Sequence, residues 1–142
     1  MPDRFLQDVI TNLKFHTAWI EIGAHFLRNR PDGKDSAFIR RMMQVEQSII
    51  HRLSRTLRQY DYAPSRIQPD STLIEQAKKR QTPETALRYI HHGILMSLKW
   101  YQERLNIPDH PFRALWQELF DEQNQLKKEI EQVLGLKSSY AE

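Results

Sequence analysis

Cysteine is absent from the 142 residues, which excludes disulfide frameworks, thiolate metal sites and thiol catalysis and suits a reducing compartment. Glycine is scarce, at 4, and no segment alternates apolar and polar residues as a half-buried strand does. No apolar run approaches the roughly 20 residues that a bilayer span requires, so no membrane partner is expected. The opening Met1-Pro2-Asp3-Arg4-Phe5 places an acid early with no apolar core behind it, unlike a secretory leader. Together these absences lead to the expectation of a soluble, cytoplasmic, all-α protein. A single domain over 1–142 is long enough to bury about two thirds of its unfolded surface without staples.

What is present is charge and helical periodicity. Charged residues make up 27% of the chain, yet the net charge is only +3, too small an excess to mark a nucleic-acid footprint. Basic residues concentrate at Arg40, Arg41, Arg52, Arg55 and Arg58, and again at Lys78-Lys79-Arg80. A solvated helix face accounts for them, so nucleic acid is not an expected partner and a weak nucleic-acid-binding bundle ranks as a lesser alternative.

The periodicity predicts four long helices, over about 3–30, 35–60, 82–106 and 109–134, with a crossover at 61–81. On the first, Leu6, Ile10, Leu13, Thr17, Ile20, Ala24 and Leu27 share one face, and Asp3 is a good N-cap. Asp35 or Ser36 opens the second, which carries Phe38, Ile39, Met42, Val45, Glu46, Ile49, Leu53 and Leu57. Thr82-Pro83-Glu84 is the best local start signal in the chain: N-cap, proline at the first helical position, then an acid at the positive end of the dipole. Leu87, Ile90, Ile94, Leu98, Tyr101 and Leu105 form that helix's inward stripe. Asp109 opens the fourth, whose stripe is Phe112, Leu115, Trp116, Leu119, Leu126, Ile130 and Val133, with Gly135 placed to terminate it.

Short turns make each successive pair an antiparallel hairpin. The connection over 61–81 is much longer than neighbouring bundle helices need and can return along the bundle, which would make the second and third long helices parallel. The halves also repeat: at one constant offset Ile20 matches Ile94, Phe26 and Leu27 match Trp100 and Tyr101, Asp35 matches Asp109 and Phe38 matches Phe112.

Two carboxylates interrupt the apolar stripes, Glu46 and Glu122, each followed by Gln. An ionised carboxylate in such a seam costs several kcal/mol unless paired or bound to a cation. The histidines at that level are His16, His25, His51, His91 and His92, and Arg41, Arg88, Tyr89 and Tyr101 offer donors. The simpler expectation is a structural pairing. The alternative is a metal held by Glu46 and Glu122 with a histidine from a facing helix, with Fe, Mn or Zn suited to such ligands. His91 and His92 cannot both face inward, being about 100° apart on a helix. No Ser, His and acid fall into a catalytic arrangement, and no Gly-rich phosphate loop exists.

The doubled hairpin, the long crossover, Thr82-Pro83-Glu84-Thr85-Ala86-Leu87, Trp100-Tyr101 and the run from Phe112 to Glu122 resemble the ferritin-like superfamily, rubrerythrin-type domains in particular. The resemblance implies a four-helix bundle whose di-iron site takes one Glu from each of two helices and a Glu-x-x-His from each of the other two. Here Glu46-Gln47-Ser48-Ile49 and Glu122-Gln123-Asn124-Gln125 lack the histidine, and Ile20 and Ile94 stand where the other acids belong. A register shift recruits Glu21 or reads Ser48-Ile49-Ile50-His51 as the motif, but repairs nothing on the third long helix. The candidate metal residues are therefore Glu46, Glu122, Glu21 and His91, in a site that has lost its di-iron chemistry. The pattern points away from an enzyme and requires no cofactor. It leads instead to a non-catalytic bundle acting by association, most simply as a homodimer, for which Trp19, Phe26, Trp100, Trp116 and Phe120 supply either interface or core. A metal-dependent oxidoreductase or iron-handling protein with an altered carboxylate site is the competing expectation.

Overall fold

A computed structural model describes residues 3–136. They form five α-helices and one 3-10 turn, with no strand among the described residues: α1 (Asp3–Asn29), α2 (Ser36–Arg58), the 3-10 turn (Pro64–Arg66), α3 (Ser71–Ala77), α4 (Pro83–Leu105) and α5 (Arg113–Leu134). No helix among the described residues is long and apolar enough to cross a membrane. The chain divides into two compact units after Lys79.

The first unit is the hairpin of α1 and α2 with the following connection laid against it. α1 has 27 residues and is about 40 Å long. Its most deeply buried stripe runs Phe5, Val9, Asn12, His16, Trp19, Gly23 and Phe26, one position away from the expected one. Of the expected stripe, Ile10 and Leu13 are buried, whereas Leu6, Thr17, Ile20, Ala24 and Leu27 are half-buried. Both stripes have the alternating four-and-three spacing of a helix seam, so periodicity alone does not choose between them. The stripe with three large aromatics removes more apolar area from water, and its polar member His16 finds a partner on α2. Gly23 adds a close approach: a Cβ there would lie 2.7 Å from Cγ and 2.8 Å from Sδ of Met43.

On α2 every expected inward residue is buried, Glu46 included. Asp35 stands at the N-cap, but its backbone is already helical and its side chain accepts no backbone cap bond; Arg30 Nη2 donates to its Oδ2 at 2.7 Å. Ser36 Oγ donates instead to the Gly33 carbonyl at 2.8 Å. At the other end Asp61 adopts φ 60°, and the Tyr62 amide reaches back to the Leu57 carbonyl, a left-handed stop of the kind more often made by glycine.

The connection then runs back along α1. The Asp70 amide donates to the Lys14 carbonyl at 3.2 Å, and Asp70 caps α3 by accepting from the Thr72 and Leu73 amides. α3 packs on α1 and buries Ala77.

The second unit is the hairpin of α4 and α5. Thr82 caps α4 reciprocally: its Oγ1 accepts from the Thr85 amide at 3.1 Å, while Thr85 Oγ1 accepts from the Thr82 amide at 3.2 Å. α5 begins at Arg113, not Asp109. Pro111 disfavours helical backbone at His110, and residues 106–112 form successive turns instead. Arg113 Nη1 donates to the Leu105 and Ile107 carbonyls, closing the end of α4. Gly135 ends α5 with φ 71°, and the Leu136 amide bonds the Glu131 carbonyl at 2.8 Å. The expected stripes are buried with three exceptions: Leu98 and Leu115 are half-buried and Val133 is 51% exposed.

Candidate functional site

The inward carboxylate of the first unit is held by an imidazole. α1 presents His16 and α2 presents Glu46, and His16 Nδ1 meets Glu46 Oε2. His16 is 0% exposed and Glu46 2%. A buried carboxylate against an imidazole is a charge-assisted contact that removes much of the penalty of desolvating either group. Phe15 packs edge-on beside the His16 ring, so the pair lies among apolar and aromatic groups.

The second unit holds a pair and a third partner that the sequence reading missed. His91 Nε2 on α4 lies 2.9 Å from Glu131 Oε2 on α5, and Lys127 Nζ donates to the other carboxylate oxygen at 3.2 Å. Lys127 and Glu131 are both buried. Burial pushes the Glu131 carboxyl upward, but the hydrogen bonds from His91 and Lys127 outweigh it and hold the group below its ordinary range. A Lys and a Glu four residues apart read from sequence as an exposed helix pair. Only the packing of α4 on α5 encloses them.

The turn between α4 and α5 gathers aromatics. Trp116 packs against Trp100, Tyr101, His110 and Phe112, and Arg104 stacks 3.9 Å above the Trp100 ring. Buried His110 faces two donors, the Phe112 amide at Nδ1 and Trp116 Nε1 at Nε2. A neutral imidazole accepts at one nitrogen only, so each tautomer satisfies one of the two donors.

Of the expected metal residues, Glu46 lies buried against His16 and His91 is tied to Glu131. Glu122 is half-buried on α5, and Glu21 is exposed on α1. Among the described residues no group of three or more His, Asp or Glu is arranged to hold a metal ion. Of the five large aromatics weighed between interface and core, Trp19, Phe26 and Trp116 are buried, while Trp100 and Phe120 are half-buried.

One concave site lies within the first unit. Glu21, Ala24, His25 and Arg28 of α1 face Ile74 and Lys78 of the α3 segment across a cleft of about 390 Å³. The i, i+3, i+4, i+7 spacing from Glu21 to Arg28 puts all four on one face of α1. Partial burial, then the charges of Arg28, Lys78 and Arg30, lower the tendency of His25 to protonate.

No family model, no curated protein and no solved structure matches this chain.

Proposed function

We propose that this protein is a non-catalytic, ferritin-like four-helix bundle that acts through association, with itself or with a protein partner, and that its ancestral carboxylate site has become a structural contact. The observation that carries the reading is the buried His16–Glu46 pair. The inward acid, which in a di-iron bundle would face a cation, is here joined to an imidazole. Buried Ile94 adds apolar bulk at one of the two other acid positions, and on α1 the neighbours of His16 in the buried stripe, Asn12 and Trp19, include no acid. The connection after α2 runs back along α1, fixed by the Asp70–Lys14 bond. For association, α4 offers Leu95 and Met96, 39% and 46% exposed on consecutive positions.

Two measurements test this reading. Elemental analysis of protein purified without chelators should find no stoichiometric Fe, Mn or Zn, and added metal should leave the melting temperature unchanged. Size-exclusion chromatography with light scattering should give a dimer at micromolar concentration that Leu95→Lys with Met96→Lys converts to monomer. One or more tightly bound metal ions per chain would replace the proposal with the metal-dependent oxidoreductase or iron-handling alternative. A strictly monomeric wild-type protein would remove self-association.

A further inference from the structure

The cleft between α1 and α3 is not part of the reading above, and its chemistry is that of a ligand site. Three nitrogen-bearing side chains, His25, Arg28 and Lys78, line it, with Ala24 and Ile74 as its apolar wall and one acid, Glu21, a turn before His25. Its volume of about 390 Å³ is at the small-molecule end of the range for ligand pockets. Arg28 makes no hydrogen bond or ion pair among the described residues, although a guanidinium carries five donors in a fixed fork. Lys78, the residue that caps the end of α3, is engaged among the described residues only by exposed Glu75, at 3.2 Å.

The cleft is also built to keep its shape. Asp70 caps α3 and its amide is tied to Lys14 on α1, so the short helix carrying Ile74 and Lys78 is held against α1 at its leading end, while buried Ala77 seats its trailing end. On α1 Asn29 Nδ2 lies 3.2 Å from His25 Nε2, which leaves Nδ1 as the ring's other polar atom. Partial burial, and then the cations around it, oppose protonation of the imidazole. An anion placed among them would relieve that opposition, gain two permanent charges and a third on demand, and be repelled from the Glu21 end. That arrangement orients a ligand with its charged head at Arg28 and Lys78 and its uncharged body along Ala24 and Ile74.

We propose that this cleft binds a small organic phosphate monoester, the dianionic head held by Arg28, Lys78 and protonated His25. A dianion matches the two permanent cations, and bidentate guanidinium geometry suits phosphate oxygens.

The test is an NMR titration of the intact protein with glycerol 3-phosphate, inorganic phosphate and acetate at constant ionic strength, observing the His25 ring and the Ala24 and Ile74 amides. Glycerol 3-phosphate should give saturable shifts with Kd on the order of 1 mM or tighter, and bound ligand should raise the His25 titration midpoint. Inorganic phosphate should shift the ring but not Ile74, since it lacks the body that reaches the apolar wall. Arg28→Ala with Lys78→Ala, both on exposed positions, should weaken binding at least tenfold while leaving the far-UV circular dichroism and melting temperature unchanged. Linear, non-saturating shifts, equal response to acetate, or full binding by the double variant would each overturn the proposal.

Discussion

His16 of α1 and Glu46 of α2 meet through Nδ1 and Oε2 with both side chains buried. The contact joins the two helices of the first unit at a point where every other inward α2 residue within a turn, from Met42 to Ile49, is apolar. Removing one partner leaves the other buried without this contact. His16→Ala should therefore destabilise the protein by about 3–5 kcal/mol in urea unfolding. His16→Leu with Glu46→Leu should recover most of that loss, because a well-packed apolar pair avoids the desolvation of both groups. A double variant no more stable than His16→Ala would show that the contact is not what makes the His16 substitution costly.

The depressed carboxyl of Glu131 predicts an acid-side dependence. Its folded value lies below the ordinary 4.5, so the ionised group stabilises the fold above about that pH. The contribution fades as pH falls below 4.5 toward the folded value, where His91 and Lys127 lose their acceptor. Urea unfolding across pH 3–6 should show a shallower acid slope in Glu131→Gln than in the wild type. Identical slopes would count against the His91–Glu131–Lys127 arrangement.

His25 shifts in the same direction for a different reason. Its folded value is lowered from 6.5 by partial burial and then by Arg28, Lys78 and Arg30. The neutral ring suits the fold, and stability should decline as pH falls below about 6.5, levelling off below the folded value. Lys78→Gln should raise the His25 midpoint when the ring is titrated by NMR without added anion. A midpoint unmoved by the substitution would place Lys78 away from the ring.

Gly23 predicts a steric effect. A side chain there meets Met43 at 2.7 Å, so Gly23→Val should cost about 1–3 kcal/mol through overpacking. Met43→Ala should restore part of the loss in the double variant. Independent, additive effects would show that the two positions do not touch.

Thr82 and Thr85 cap α4 reciprocally. Thr82→Ala should lose about 1 kcal/mol, whereas Thr82→Asp should stay near the wild type, because aspartate also accepts from the first-turn amides. Equal losses from both would deny the cap its role.

Where the information is local, the chain determines its own structure. Thr82-Pro83-Glu84 opens α4 and Gly135 ends α5 because capping and left-handed backbone depend on a few adjacent residues. The α2 stripe from Phe38 to Leu57 is buried as its spacing requires, since a single apolar face leaves no competing choice. α1 shows where this stops. Two stripes one residue apart fit equally well, and only packing against α2 selects the one holding Phe5, Trp19 and Phe26 and turns His16 toward Glu46. The same holds for Lys127 and Glu131, an ordinary surface spacing that α4 encloses with His91, and for the cleft that α3 makes on α1. Helix caps and periodicity are properties of neighbouring residues. The partner of a buried charge and the opposite wall of a cleft come from distant ones, and tertiary packing alone brings them together.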